Sequence, residues 1–93
     1  VGTPELNSEN KFSLYPNPAE NMVHLDFTGA TAQTVSLDVY TLNGQKVIAE
    51  MNLEAINGRN IFVLNTADWN PGSYLIRITD SNGINHNKML MVK

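Results

Sequence analysis

Residues 35–51, VSLDVYTLNGQKVIAEM, decide the fold class of this chain. Their first half alternates apolar residues with polar or amphipathic ones, which is the period of two expected of a strand with one buried face. The apolar positions are Val35, Leu37 and Val39. Asn43-Gly44 then provides the residue pair that most often adopts the two positive φ angles of a type I′ hairpin turn. The second half, with Val47, Ala49 and Met51 on alternate positions, is therefore predicted to return as an antiparallel strand.

The same alternation recurs on both sides of this hairpin. The other apolar residues predicted to point inward are Val23, Leu25, Phe27, Tyr74, Ile76 and Ile78. Further Asn-Gly turns at 57–58 and 82–83 separate the runs. With a strand at 12–15, the pattern predicts an all-β, immunoglobulin-like antiparallel β-sandwich of about seven strands, with a small barrel as the alternative.

Two segments depart from simple alternation. The unbroken apolar run at 61–64, IFVL, predicts a strand buried on both faces or at a corner of the sandwich. Residues 66–70 predict a short 3₁₀ turn with Trp69 in the core, followed by a turn at Pro71-Gly72.

Length and charge limit the classes of function. The chain has 93 residues, which suits one small domain, and we expect residues 1–10 to be a linker from an upstream cargo domain and residues 11–93 to be the folded unit. A net charge of −3 with only six lysines and arginines predicts no nucleic-acid partner. No apolar run approaches the roughly 18 residues of a membrane helix, so direct membrane insertion is not expected either. The absence of cysteine excludes disulfides and thiol chemistry.

Candidate catalytic and metal-binding residues are few. His24 and His86 are the only histidines, and both are predicted to face solvent, since a zinc site would need a third ligand such as Asp26 or Asp38. Residues 80–83, DSNG, resemble the start of a calcium loop but lack the downstream glutamate, and a hairpin turn explains them equally. No nucleophile motif is present. The sequence predicts a protein that is not an enzyme and has no cofactor and no metal.

The aromatic residues leave a sugar-binding platform open as an alternative to core packing. The candidates are Tyr15, Tyr40, Trp69 and Tyr74. Trp69 precedes a tight turn and Tyr74 is in phase with the apolar residues of its strand, so burial is the favoured interpretation for both.

Four segments, in order, carry a resemblance to a known family. They are the opening LYPNPA at 14–19, the central DVYTLNGQKV at 38–47, the segment from Leu64 through WNPGSYLIRI at 69–78, and the closing KMLMVK at 88–93. Together they resemble the C-terminal sorting domain of the type IX secretion system, also called the Por secretion system tail, type A. The tryptophan-centred segment at 69–72 replaces a leucine-centred one found in many members.

The resemblance implies a sorting signal that directs an upstream cargo protein through the type IX outer-membrane translocon and is then cleaved. The implied partners are the translocon, its outer-membrane shuttle and a sortase-like peptidase, acting on a monomeric, exported domain that passes through the periplasm to the cell surface or the medium. The implied recognition residues are Pro16, Asn17, Pro18, Gly44, Gly72, Tyr74, Lys88 and Lys93.

Two expectations follow from this assignment. A peptidase would cut between positions 1 and 11, and the last strand would be read by β-addition along its exposed edge. The alternative is a fibronectin-like spacer or a carbohydrate-binding accessory module of an extracellular enzyme, which we expect to be followed by more protein, whereas this sequence stops after Lys93.

Overall fold

Residues 11–93, which the computed structural model describes, form seven strands in two antiparallel sheets. The strands are β1 (Lys11–Tyr15), β2 (Met22–Gly29), β3 (Gln33–Thr41), β4 (Lys46–Ala55), β5 (Gly58–Asn65), β6 (Gly72–Thr79) and β7 (Asn85–Val92). The sheet orders are β1-β2-β5 and β4-β3-β6-β7. The predicted all-β sandwich of seven strands is confirmed. Within these residues no helix is long and apolar enough to cross a membrane.

The core lies between the two sheets and is built from the alternating apolar residues. All of the predicted inward residues of β2, β3 and β6 are buried: Val23, Leu25, Phe27, Val35, Leu37, Val39, Tyr74, Ile76 and Ile78. Removing a large aliphatic or aromatic side chain from water contributes about 1.5–3 kcal/mol. The alternation therefore supplies most of the apolar burial that holds the sheets together.

A buried carboxylate interrupts the alternation in β3. Asp38 lies on the predicted polar phase, yet only 8% of it is exposed. Its Oδ1 accepts the backbone N–H of Glu50 at 2.8 Å, at the point where the β3–β4 register shifts by one residue. Glu50 has a φ of +50°, so the carboxylate holds a β-bulge in a backbone conformation that L-residues seldom adopt.

The Asn43-Gly44 turn is present, but its predicted type is wrong. Gly44 donates its backbone N–H to Thr41 O at 2.9 Å, and of the turn residues only Gly44, at +88°, has a positive φ. A type I′ turn needs positive φ at both central residues. The hairpin instead has the longer form in which a turn is followed by a left-handed glycine, because this form matches a strand pair that contains bulges.

The prediction that residues 61–64 are buried on both faces is wrong. Strand β5 is an edge strand of the three-stranded sheet and packs through Leu64 and Phe62, while Ile61 and Val63 are 49% and 57% exposed. The Asn57-Gly58 turn that precedes it carries the chain from one sheet to the other. An apolar run is equally compatible with an edge strand, since its hydrophobicity does not say how many sheets cover it.

The segment after β5 is a turn rather than a 3₁₀ helix. Trp69 donates its backbone N–H to Thr66 O at 3.0 Å, and the Trp69 side chain is half-buried against the edge of the core. The prediction of a buried Tyr74 is confirmed, whereas Trp69 is only partly covered.

The two histidines are half-buried, contrary to the predicted solvent exposure. His24 stacks on Tyr15 with ring centroids 5.2 Å apart. His86 lies 2.9 Å from the Asp80 carboxylate. It shares the core-facing side of β7 with Leu90, since residues on alternate positions point to the same face.

The hairpin interpretation of residues 80–83 is confirmed. Asp80 Oδ1 accepts the backbone N–H groups of Asn82 and Ile84 at 2.9 and 3.1 Å, which is the local bonding expected of an aspartate turn. Within residues 11–93, no group of three or more histidines and carboxylates is placed to hold a metal ion.

Candidate recognition surface

The Pro-Asn-Pro segment, residues 16–18, connects β1 to β2 and lies along the outer edge of β7. The Asn17 side chain makes two hydrogen bonds to that edge: its Nδ2 donates to Met89 O at 3.1 Å, and its Oδ1 accepts the Met91 N–H at 3.0 Å. One side-chain amide thus bonds to β7 as a peptide group of a neighbouring strand would.

Ala19 continues this pairing through its backbone. Its N–H donates to Met91 O at 2.8 Å, and its carbonyl accepts the Lys93 N–H at 2.8 Å, forming a parallel bridge with Val92. The Ala19 side chain is completely buried, so a larger residue would collide with the end of the core. We call residues 16–19 the clip.

The composition of the clip explains this mixed pairing. Pro16 and Pro18 have no N–H, so they cannot donate to an adjacent strand. The donors that bond to β7 are the Asn17 side chain and the Ala19 backbone. Both X–Pro bonds, Tyr15–Pro16 and Asn17–Pro18, are cis.

A second contact holds the two residues that follow the clip, Glu20 and Asn21. Thr66, which is buried, donates its backbone N–H to Asn21 O at 2.9 Å and its hydroxyl to Glu20 O at 3.4 Å. The turn that Thr66 begins is in turn tied to β6, because the Tyr74 hydroxyl donates to Asn70 O. The chain is therefore bonded to β7 through the clip and to the turn between β5 and β6 through the residues that follow it.

The predicted recognition residues are only partly brought together. Gly72 and Tyr74 pair with Val92 and Leu90, which places the start of β6 beside the end of β7 and hence near the clip. The residues gathered at this end are Pro16, Asn17, Pro18, Gly72, Tyr74 and Lys93.

Two of the predicted residues lie elsewhere. Gly44 is in the β3–β4 hairpin at the same end of the sheet, but β6 and β7 separate it from the clip. Lys88 is further back in β7, opposite Ile76.

The surface around the clip contains two prolines and one pair of oppositely charged side chains. A shallow groove of about 470 Å³ is lined by Pro16, Pro18, Glu20, Asn21, Met22 and Lys93. Lys93 Nζ lies 3.5 Å from Glu20 Oε2, with both side chains largely exposed. An exposed pair of this kind contributes about 0–1 kcal/mol, so these charges add more to the shape and polarity of the surface than to its stability.

Sequence reasoning missed the residues that build this surface. Ala19, Thr66, Met89 and Met91 lie within the family-like segments but were not predicted as recognition residues, because they act mainly through backbone atoms that any residue type provides. The one available signal was the pair of prolines around an asparagine, because the prolines remove two backbone donors and the asparagine side chain can supply both a donor and an acceptor.

The outer edge of the last strand is not free along its whole length, so the edge expected to be exposed for β-addition is exposed only in part, and β-addition itself stays a prediction. From Met89 O to Lys93 N–H it is already paired with the clip. Within β7, only the part that precedes Met89 has outward backbone groups that bond to no other backbone group of residues 11–93. A partner that added a strand to the second half of β7 would have to displace the clip.

The outer face of the three-stranded sheet carries an ion pair between β2 and β5. Arg59 Nε and Nη2 lie 3.0 and 2.8 Å from Asp26 Oδ2. The hydrogen bond and charge of Asp26 raise the pKa of the Arg59 guanidinium.

Comparison with known protein families gives one result. The family model described as the secretion system C-terminal sorting domain matches residues 13–93, nearly the whole described fold. The chain belongs to this family. It is a type IX secretion sorting domain, and its role is that of a C-terminal sorting signal of a secreted protein, which is not a catalytic role. The spacer and carbohydrate-binding alternatives are not favoured. No curated protein matches the chain.

Proposed function

We propose that the type IX machinery recognises this sorting domain through the clip and the second half of β7 together. The observation that carries the proposal is that four hydrogen bonds of 2.8–3.1 Å join the clip to β7, two of them made by Asn17 and two by Ala19. The matched family segment begins at residue 13, so it includes both parts of this surface.

A surface of this kind is present only when the domain has folded. Asn17 lies 72 and 74 positions away in sequence from Met89 and Met91, so the contacts form only when the first and last strands are both in place. A receptor that binds the joined segments therefore distinguishes a folded tail from an unfolded one. This selectivity would follow from geometry alone, without a dedicated sensing residue.

The partners we propose are the outer-membrane translocon, its shuttle and a sortase-like peptidase. The domain would act as their substrate, as a monomer, in the periplasm before the cargo reaches the cell surface or the medium. Pro16, Asn17, Pro18, Gly72, Tyr74 and Lys93 are the proposed recognition residues, with Gly44 and Lys88 outside the clip surface. We further propose that cleavage occurs between positions 1 and 11, outside the described residues, because every later segment up to Val92 belongs to the sandwich.

The proposal is tested by fusing residues 11–93 to an unrelated reporter behind a signal peptide, in a host with a working type IX system. We expect the reporter to reach the cell surface or the medium. Retention of the reporter in the periplasm, with a tail that is folded and intact by limited proteolysis, would show that this domain is not sufficient as a sorting signal.

Recognition of the clip surface is tested with two matched lysine variants of the same fusion. Lys93→Ala alters the groove beside the clip, whereas Lys46→Ala removes an exposed lysine at the start of β4. Surface substitutions of this kind shift stability by less than about 0.5 kcal/mol, so both variants should fold. We expect Lys93→Ala to reduce export and Lys46→Ala to leave it unchanged. Equal export of the two would remove Lys93 from the recognition surface.

A further inference from the structure

A second groove lies away from the clip, where the open edges of β1 and β7 face one another. We call it the β1–β7 slot. It encloses about 590 Å³ and is lined by Lys11, Phe12, Ser13, Asp26, Thr28, Arg59, His86, Asn87 and Lys88. Strand β1 is the edge of one sheet and β7 is the edge of the other, and the slot extends from this side of the sandwich onto the outer face of the three-stranded sheet at Asp26 and Arg59.

The slot is positively charged although the chain as a whole is not. Lys11, Arg59 and Lys88 are three of the six lysines and arginines in a chain whose net charge is −3. The one carboxylate in the lining, Asp26, is already bound by Arg59 at 2.8 Å. Lys11 and Lys88 are exposed and have no ion-pair partner within residues 11–93.

The backbone of β7 beside the slot offers hydrogen-bonding groups. Met91 directs both its N–H and its carbonyl outward to the clip, and in an antiparallel strand the direction of these groups alternates along the chain. The backbone N–H and carbonyl groups of Asn85 and Asn87 therefore point to the same outer edge, in the part of β7 that precedes the clip contacts at Met89. Within the described residues, no backbone group bonds to them there.

We propose that the β1–β7 slot binds an extended, acidic segment of another protein. The segment would pair with the outward backbone groups of Asn85 and Asn87, in line with the clip, and would place carboxylates near Lys11 and Lys88. The existing pairing of Ala19 with Met91 and Lys93 shows that this edge accepts an added extended segment. The charge of the lining selects an acidic one. The inference does not depend on the clip being the surface that directs export.

The experiment uses the full 93-residue chain, labelled with ¹⁵N, and a short synthetic peptide in which glutamate alternates with valine or threonine. Two control peptides are matched to it: one has lysine in place of every glutamate, and the other has prolines that remove backbone N–H donors. We expect the acidic peptide to shift the amide resonances of Lys11, Asn85 and Asn87 and to slow hydrogen exchange at Asn85 and Asn87. We expect the lysine peptide not to bind and the proline peptide to bind more weakly.

Variants of the slot then test the assigned residues. Lys11→Gln and Lys88→Gln should each weaken binding of the acidic peptide about twofold to fivefold, as expected for one exposed ion pair. Lys46→Gln, at the start of β4 and outside the slot, should have no effect. Added salt should weaken binding because the charges are exposed.

Three outcomes would overturn the proposal. The first is no binding of the acidic peptide up to about 1 mM. The second is equal binding of the acidic and lysine peptides, which would exclude charge selection. The third is equal binding of the acidic and proline peptides, which would exclude backbone pairing and leave the slot as a site for anions only.

Discussion

At the scale of single residues, Asn17 has the clearest role, because its side chain substitutes for a backbone. A primary amide has one acceptor oxygen and one donor nitrogen, as a peptide group does, and here both bond to β7. Between two prolines no backbone donor could serve in its place except that of Asn17 itself.

We predict that Asn17→Ala lowers the free energy of unfolding by about 1–2 kcal/mol, since a typical hydrogen bond contributes about 0.5–1.5 kcal/mol and these two are exposed. Hydrogen exchange at the Met91 amide should speed up by more than at the core amides. Urea unfolding and exchange NMR measure the two effects. Asn52→Ala, on an exposed position of β4, is the control. Unchanged protection of the Met91 amide would contradict the bonding described for Asn17.

We also predict that Asp38→Ala destabilises the fold by about 1–3 kcal/mol, because it leaves the Glu50 N–H without its acceptor in a part-buried position. Asp38→Asn keeps an oxygen at the same place and should recover most of the loss. Thermal unfolding of the two variants gives the comparison. If asparagine is as damaging as alanine, the charge of Asp38, rather than its acceptor geometry, holds the bulge.

At the scale of secondary-structure elements, β7 differs from an ordinary final strand. It is an edge strand in the strand order of its sheet, but the clip covers the outer side of its second half. A long exposed edge is a template for unwanted strand pairing, and proline-containing segments are one of the ways in which proteins protect it. The clip therefore serves the stability of the isolated fold as well as its proposed recognition.

The central element of the larger sheet is β3, and Leu37 in it tests the core. Leu37 is completely buried, so we expect Leu37→Ala to cost about 2–5 kcal/mol, from lost burial plus the cavity that remains. Met51, its register partner on β4, is 42% exposed, and Met51→Ala should cost less than about 1 kcal/mol. Denaturant unfolding of both variants measures the difference. Similar costs would mean that the edge strand β4 is packed more tightly than its exposure indicates.

At the scale of the whole molecule, the fold is closed by contacts between its first and last parts. The clip and β1 lie beside β7, and β7 pairs with β6 along its full length. Leu90 and Val92 contribute to the core from β7, whereas Met89 and Met91 between them are exposed, so the end of the chain stabilises the fold as well as forming part of its surface. A loss of export after truncation could therefore arise from unfolding rather than from a missing signal.

We predict that deletion of residues 87–93 abolishes the cooperative thermal transition, because it removes Leu90, Val92 and every contact of the clip with β7. The double variant Lys88→Ala, Lys93→Ala should retain the transition, with a change in stability of less than about 0.5 kcal/mol per site. Circular dichroism melts compare the two. A truncated chain that still melts cooperatively would show that the first six strands form a stable sandwich by themselves.

The sequence by itself was sufficient for the existence of the strands and for the buried faces of β2, β3 and β6. Val35, Leu37 and Val39 are inside because a period of two places every second side chain on one face, and this holds whatever the strand pairs with. The Asn-Gly pairs marked the turns for a similar local reason, since they tolerate the backbone angles of tight turns. These features depend on neighbours in sequence.

The tertiary structure alone decided the features that depend on distant parts of the chain. Ile61 and Val63 are exposed because the sandwich has two layers and only one face of β5 packs against the other sheet, and the burial of Asp38 follows from a bulge in the strand opposite it. The clip surface is the strongest case, because it joins Asn17 to Met89 and Met91 through backbone groups that carry no sequence signature. Strand order determines which backbone groups meet, and a local pattern of side chains contains no record of that order.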